Sequence, residues 1–272
     1  MMYHRILLIG FVLICSAGFG QFEKSFSAPL NYSWFNCDPN KNIYAISDGS
    51  FLKLVPPYDS SYRYNIQNEG LPTQIDINNP NEIVLFFQNK NKIILLDSNL
   101  HEIIRPFYLE EIGIYDASMA FSTNDYGLWF YNNFNNSLSK LDKNFLLVNR
   151  SVNMNPYFEP PNTPNYVIVF ENKIYLNVPS HGILILAPNG EYQTAMHLPG
   201  LIDFQIDRKA VYFYRDHIIY CYNYRSLKFK KIYIPYEPDI LNAWFFDTQI
   251  LVLKKDGFII YDHNINPIDE TH

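Results

Sequence analysis

The sequence is short of cysteine, glycine and positive charge. Its 3 cysteines exclude a small disulfide-dense domain, and its 11 glycines exclude a collagen-like chain. Lys and Arg number 21 against 27 Asp and Glu, which gives a formal net charge of −6. The densest basic stretch is Lys228, Lys230 and Lys231, and it is shorter than the basic stripe that phosphate binding requires. We therefore expect no nucleic-acid partner.

Motifs that mark catalytic, metal and cofactor sites are also missing. Gly-x-Ser-x-Gly, Cys-x-x-Cys and glycine-rich phosphate loops do not occur. The histidines beyond residue 20 show no pair at metal-ligand spacing. Asp38-Pro-Asn-Lys-Asn42 has alternating oxygen ligands, but Ile43 follows where a calcium loop has glycine, so we interpret this segment as a tight turn. No catalytic residue, metal or cofactor is predicted.

Residues 1–20 have the pattern of a secretory signal peptide. Arg5 precedes an apolar run that ends at Cys15, and small residues precede Gln21, where we expect cleavage. Cys15 follows Ile14 rather than a small residue, so we do not expect lipidation. No later apolar run approaches the length of a membrane span. The sequence thus predicts export of residues 21–272 as one domain, periplasmic or associated with the outer membrane and peripheral at most.

A pattern of strand, polar turn and strand recurs six times. The apolar residues that mark the strand after each turn recur at intervals of 37 to 46 residues and are Ile43, Ile83, Leu128, Ile174, Val211 and Ile250. A third strand follows each marker, over Phe51–Val55, Lys92–Leu96, Ser137–Leu141, Gly182–Leu186, His217–Tyr222 and Gly257–Tyr261. This spacing is typical of a blade of four short antiparallel strands. No long segment has a clean 3.6-residue period, so helix content should be low.

Six such units predict an all-β fold, a six-bladed β-propeller of four-stranded antiparallel blades. The sixth unit stops after its third strand, and Phe22–Ser27 precedes the first unit without belonging to one. We expect this N-terminal segment to form the outer strand of the last blade and so close the ring. A two-sheet sandwich is the alternative, because regular strand spacing also fits that class.

Two segments resemble a known blade motif. Thr123-Asn-Asp-Tyr-Gly-Leu-Trp-Phe-Tyr131, followed by Leu138-Ser-Lys-Leu-Asp142, resembles the blades of periplasmic sensor-regulator propellers, and His181-Gly-Ile-Leu-Ile-Leu-Ala-Pro-Asn-Gly190 is similar to part of another such blade. The whole mature chain is similar to exported β-propeller proteins of Bacteroidota-type bacteria. The resemblance implies the fold and export but no activity. The chain lacks the kinase region of sensor regulators, so a signalling role is not implied.

Binding is expected on the face that carries the links between blades. The links and the turns between second and third strands share one face of a propeller. Here that face would carry Tyr157 and Phe158 in the long loop Ser151–Pro164, together with His181, Arg215 and Tyr236. Two prolines follow Glu159 and should stiffen the loop behind its aromatics. Folding of Tyr157 and Phe158 back over the sheet is the alternative.

The two cysteines of the mature chain, Cys37 and Cys221, fall in different repeats. A disulfide needs Cα atoms within about 7 Å. We therefore expect two buried free thiols, with pairing as the alternative.

Three functions remain open at the level of sequence. The first is a non-enzymatic envelope protein that binds another protein or an outer-membrane complex. The second is a propeller enzyme that acts on glycans with carboxylates from several blades. The third is a propeller that senses a small molecule at the channel mouth. The missing motifs and the acidic balance favour the first, although a fold by itself does not define a function.

Overall fold

The computed structural model describes residues 22–123, 125–150, 154 and 163–265. These residues form six four-stranded antiparallel sheets arranged as the blades of a β-propeller. The only helices in the described part are two short 3-10 segments, Gln88–Lys90 and Leu109–Ile112. The predicted fold class is confirmed, and the sandwich alternative is wrong. The predicted signal peptide, Cys15, Tyr157 and Phe158 lie outside the described residues.

Each blade has its first strand at the channel and its fourth strand at the rim. Blades 1 to 3 consist of β2 (Trp34–Cys37), β3 (Ile43–Ser47), β4 (Ser50–Val55), β5 (Ser60–Asn65), β6 (Gln74–Asp76), β7 (Ile83–Phe87), β8 (Lys92–Leu96), β9 (Phe107–Tyr108), β10 (Ala117–Ser122), β11 (Leu128–Asn132), β12 (Ser137–Leu141) and β13 (Leu147–Arg150). Blades 4 to 6 consist of β14 (Tyr166–Phe170), β15 (Lys173–Val178), β16 (Gly182–Leu186), β17 (Tyr192–Met196), β18 (Gln205–Ile206), β19 (Ala210–Arg215), β20 (Ile218–Asn223), β21 (Lys228–Tyr233), β22 (Ile240–Phe245), β23 (Gln249–Lys254) and β24 (Gly257–His263), and β1 (Phe22–Pro29) completes blade 6. Three predicted third strands match β8, β12 and β16, and the other three differ by one or two residues at an end.

The core is divided into six hydrophobic clusters, one between each pair of neighbouring blades. A blade is therefore covered on both faces, and its middle strands are buried on both sides. The sequence of a strand that is buried on both faces is a continuous apolar run rather than an alternation of apolar and polar residues. Ile83–Phe87 has the sequence Ile-Val-Leu-Phe-Phe and is buried at every position. This explains why the second and third strands are the clearest elements in the sequence.

The ring closes at blade 6, where β1 pairs antiparallel with β24. The predicted closure by the N-terminal segment is confirmed, and the strand extends two residues past the expected end, to Pro29. The Phe26 ring stacks on Phe258 with centroids 5.8 Å apart, and it also contacts Tyr58 of blade 1 at 5.2 Å. The closing strand thereby joins the last blade to the first.

The strand order defines two faces of the propeller. The link face consists of the links between blades (among the described residues, 30–33, 66–73, 109–116, 163–165, 197–204 and 234–239) and the turns between second and third strands. The turn face consists of the turns between first and second strands and between third and fourth strands, beginning with residues 38–42 and 56–59 of blade 1.

Both described cysteines are free thiols, as expected. Cys221 is buried, whereas Cys37 as a whole residue is only half-buried at the wall of the central channel, although its thiol group is desolvated. In the ranges given above, no helix is long and apolar enough to cross a membrane.

Candidate functional site

At two places in the channel wall, the first strand of one blade hydrogen-bonds the next blade. A first strand is the edge of its sheet, so its outward N–H groups need partners from elsewhere. Asp76 Oδ2 accepts the Ser122 N–H at 2.8 Å, from blade 2 to blade 3. Gln205 Oε1 accepts the Phe245 N–H at 2.7 Å, from blade 5 to blade 6. Polar side chains in this wall therefore hold neighbouring blades together.

Two carboxyl groups inside the channel titrate close to neutral pH. Burial raises the pKa of Asp76 to about 6, against the lowering effect of hydrogen bonds from Ser122 and Asn78. Burial also raises the pKa of Asp203 to about 6, against the lowering effect of a hydrogen bond from Asn242 Nδ2 at 2.7 Å. Desolvation disfavours the charged form of an acid, which accounts for the direction of both shifts.

The channel contains two cavities that meet at its waist. The turn-face cavity has a volume of about 560 Å³ and the link-face cavity about 250 Å³. Ile77, Asn78 and Tyr166 line both cavities. Asn78 Nδ2 also donates to the Val167 carbonyl at 3.1 Å, from blade 2 to blade 4. No described residue of blade 3 lines either cavity, and this bond crosses the channel on that side.

The turn-face cavity has aromatic walls and acidic groups. Seven of its lining residues are aromatic: Tyr166, Phe170, Phe204, Tyr212, Trp244, Phe245 and Phe246. Tyr212 and Phe245 stack with centroids 5.2 Å apart at an interplanar angle of 14°. Its charged lining residues are Asp38, Asp207 and Asp247 against Lys41. A mainly apolar cavity with a few polar groups is the usual form of a small-molecule site.

Asp38 is fixed by its own turn. Its Oδ1 accepts the backbone N–H of Asn42 at 2.9 Å, and its Oδ2 accepts Asn42 Nδ2 at 2.7 Å and the Tyr44 hydroxyl at 3.2 Å. The predicted tight turn from Asp38 to Asn42 is thereby confirmed. Burial and the neighbouring Asp38 charge raise the pKa of the Tyr44 hydroxyl, which keeps this donor protonated.

Asp207 repeats the arrangement in blade 5. Its Oδ1 accepts the backbone N–H groups of Lys209 and Ala210, each at 2.7 Å, and its Oδ2 accepts the Tyr212 hydroxyl at 3.0 Å. Burial, followed by the Asp207 charge, raises the pKa of Tyr212. Two equivalent aspartates thus stand at the cavity, each bound by neutral donors.

Three of the residues predicted for binding lie on the link face. Arg215 Nη2 donates to the carbonyl oxygens of Pro199 at 3.1 Å and Gly200 at 3.3 Å, which ties the turn of blade 5 to the link before it. His197 Nδ1, in the same link, lies 3.2 Å from the carbonyl oxygen of His181. The structure therefore connects His181 and Arg215 through one link, which the Arg215 side chain and the His181 backbone carbonyl each contact.

Tyr236 lies in the next link and stacks on His217, with ring centroids 6.4 Å apart. Its side chain is 86% exposed. Of the predicted residues that the structure describes, Tyr236 is therefore the one whose ring is presented to solvent.

Sequence reasoning missed the turn-face cavity. The signal was present, because three first strands end in aromatic or apolar residues followed by an aspartate: Trp34-Phe-Asn-Cys-Asp38, Phe204-Gln-Ile-Asp207 and Trp244-Phe-Phe-Asp247. An alignment of the repeats against one another would have placed Asp38 and Asp207 at equivalent positions, directly after the last paired residue of the first strand, and Asp247 one position later.

Cys37 also lines this cavity. Burial, and then the charges of Asp38 and Asp203, raise the pKa of its thiol well above the usual value. A thiol held in the protonated form is a poor nucleophile. The described residues contain no group of three or more His, Cys, Asp or Glu side chains that is able to hold a metal ion.

The geometry defines a six-bladed β-propeller with a partly filled central channel. Similar solved structures include virginiamycin B lyase from Staphylococcus aureus, with a TM-score of 0.53 and 14% identity over 85% of this chain and 80% of that one. The extracellular domain of a putative hybrid two-component system from B. thetaiotaomicron has a TM-score of 0.53 and 10% identity, over 86% of this chain and 34% of that one. BBS1N, solved in complex with ARL6DN, has a TM-score of 0.50 and 12% identity, over 84% of this chain and 76% of that one.

At such identities the likeness shows the fold alone. The three proteins differ in what they do, as expected of a fold that hosts many functions. No family model matches the sequence, and no curated protein matches it either.

Proposed function

We propose that this protein is an exported, non-enzymatic binding protein that contacts another protein of the bacterial envelope through its link face. The observation that carries the proposal is a set of large apolar side chains exposed on that face, with exposed fractions from 65% to 91%: Leu71, Tyr115, Phe134, Ile202 and Tyr236. Four of the links between blades each supply one of them, and Phe134 comes from the turn after the second strand of blade 3. Exposed apolar groups gathered on one face are typical of a protein contact surface.

The turn face differs in this respect. Its exposed large apolar residues are Ile103, Tyr126, Leu146 and Leu227, with exposed fractions from 42% to 68%. Three of the four lie in turns between third and fourth strands, at the rim of the disc. Among the described residues, the turn face therefore has four such groups against five on the link face, and their range of exposed fractions is lower.

Asp38 and Asp207 are poorly placed to act as the reacting carboxylates of a glycan hydrolase. Each accepts three hydrogen bonds from neutral donors of its own blade. A carboxylate offers about four acceptor positions, so few are left on either side chain for a reacting group. This argues against glycan hydrolysis by these two residues.

Photocrosslinking tests the contact surface. A photoreactive amino acid at Tyr236 is expected to give one reproducible adduct with an envelope protein in native cells, because this side chain lies within the proposed contact. The same amino acid at Leu227, which is 68% exposed on the turn face, is the matched control and should give at least tenfold less of that adduct. Adducts are resolved by gel shift and identified by mass spectrometry.

The double variant Ile202→Ser and Tyr236→Ser extends the test. It should reduce recovery of the crosslinked partner by at least tenfold, since apolar anchors dominate such interfaces, while Leu227→Ser leaves recovery unchanged. Equal adducts from both positions, or full recovery with the double variant, would show that the link face is not the contact.

Export is tested by the mass of the mature chain. Because residues 1–20 have the pattern of a signal peptide, the protein recovered from the periplasmic or outer-membrane fraction is expected to begin at Gln21. Intact-mass spectrometry of both fractions measures this. A chain found only in the cytoplasmic fraction, with residues 1–20 still attached, would contradict the proposal of export.

A further inference from the structure

The turn-face cavity lies at the opposite end of the channel from the proposed contact and has a chemistry of its own. Its volume of about 560 Å³ is within the range of small-molecule sites. Blades 1, 2, 4, 5 and 6 contribute to its wall. Phe246 is half-buried at its edge, and Phe170 has a similar exposure. The partly exposed rings at the cavity are therefore Tyr166, Phe170 and Phe246, from blades 4 and 6.

The net charge of the residues that line this cavity is negative. Asp38, Asp207 and Asp247 line it, and none of them belongs to an ion pair within the described part of the chain. Lys41 is the one cationic lining residue, and its Nζ donates to Gln249 Oε1 at 2.8 Å. The nearby cation Arg208 pairs with Glu171 at 2.8 Å. A cationic occupant is favoured on electrostatic grounds.

The hydrogen bonds that Asp38 and Asp207 accept indicate which kind of cation fits the cavity. A carboxylate offers about four acceptor positions, and Asp38 and Asp207 each have three of them filled by neutral donors. The negative charge of Asp38 and Asp207 remains, but these two carboxylates leave few positions for the N–H groups of a primary ammonium. A quaternary ammonium has no N–H groups to satisfy, and aromatic ring faces attract it.

From these observations we infer that the turn-face cavity binds a small organic cation consisting of a quaternary ammonium group attached to an apolar body. The ring faces and the carboxylate charges act on the ammonium group, and the remaining apolar wall covers the body of the ligand. This site is separate from the link face and goes beyond the proposed protein contact. A bound cation would occupy one face of the disc while a protein partner covers the other.

The inference is tested by isothermal titration calorimetry with a series of benzyl compounds. Benzyltrimethylammonium is expected to bind at least tenfold more tightly than benzyl alcohol or benzoate, and more tightly than benzylammonium. The four probes share a phenyl ring and differ in charge or in hydrogen-bond donors. Equal binding of benzyl alcohol would show that the charge plays no part, and tighter binding of benzylammonium would overturn the assignment to a quaternary ammonium. Absence of heat with every probe at millimolar concentration would overturn the site itself.

Two variants locate the site. Asp247→Asn should weaken benzyltrimethylammonium binding several-fold, because Asp247 is exposed and its charge is removed without loss of an ion pair. Phe246→Leu keeps an apolar side chain but removes the ring face, so it should weaken binding of the cation more than binding of benzyl alcohol. Asp59→Asn, in an outer turn of the same face, is the matched control. Unchanged affinity in both Asp247→Asn and Phe246→Leu would place the ligand elsewhere.

Discussion

Replacement of Gly257 by alanine is expected to open the ring at its closing strand. A Cβ at this position would lie 2.2 Å from the carbonyl oxygen of Ala28 and 2.9 Å from the Cα of Pro29, both in β1. The backbone φ of +153° is also one that side chains rarely adopt. Backbone strain and overpacking together should lower the free energy of unfolding by about 3 kcal/mol or more. For a chain of this size the melting temperature should fall by roughly 10 °C.

Gly70→Ala is the matched control for this prediction. Gly70 has a φ of +79° but no atom within 4 Å of the added Cβ, so only local strain of about 1 kcal/mol is expected. Circular dichroism during heating compares the two variants. Limited trypsin digestion adds a local readout, since Lys24 lies in β1 and should be cut when that strand detaches. If Gly257→Ala is no less stable than Gly70→Ala, the close approach of β1 to β24 does not constrain the fold.

Mild acid is expected to stabilise the protein relative to pH 8. The pKa values of Asp76 and Asp203 are raised by burial from 3.8 to about 6, and burial, with the neighbouring Asp76 and Asp125 charges, raises that of Glu82 from 4.5 to about 7. At a pH between its ordinary pKa and its raised native-state pKa, each group therefore holds its proton more tightly in the native state than in the unfolded chain. By linkage, the free energy of unfolding falls as the pH rises through this window, and the full loss is reached above pH 7.

The variant Asp203→Asn isolates one of these groups. An asparagine at this position can still accept the hydrogen bond from Asn242 but carries no charge to desolvate. The gain in unfolding free energy between pH 8 and pH 5 should be smaller than in the wild type by roughly 1 to 2 kcal/mol. Asp116→Asn, at an exposed position in a link, should keep the full gain. Urea unfolding at a series of pH values measures it, and an unchanged gain in Asp203→Asn would mean that Asp203 is not desolvated in the native state.

The sequence predicted the middle strands better than the edges of the blades. The predicted bounds of Lys92–Leu96 match the structure, because the turn residue Asp97 follows the apolar run directly. Every position of this strand is buried. The first strand of blade 5, Gln205–Ile206, has only two residues and leaves little periodic signal. The link face was also predictable, since Tyr236 lies in a link that the repeat period itself defines.

Local patterns in the sequence did not predict the turn-face cavity. Asp38 of blade 1 and Asp247 of blade 6 are separated by almost the whole chain, and they line one cavity only because β1 closes the ring. The bond from Asn78 to Val167, which crosses the channel, joins residues 89 positions apart. Repeat spacing gives no measure of how far each blade stands from the axis.

The sequence by itself determined the number of blades, the order of strands in each blade, the closing segment and which loops share a face. These features follow from local periodicity, turn residues and the short reach of a hairpin, and each is encoded within about forty residues. Only the tertiary structure decided the width of the channel, the raised pKa values of Asp76 and Asp203 and the meeting of three aspartates with aromatic rings at one end. Those properties depend on distances across the ring and on burial from water, which are set when all six blades pack against one another.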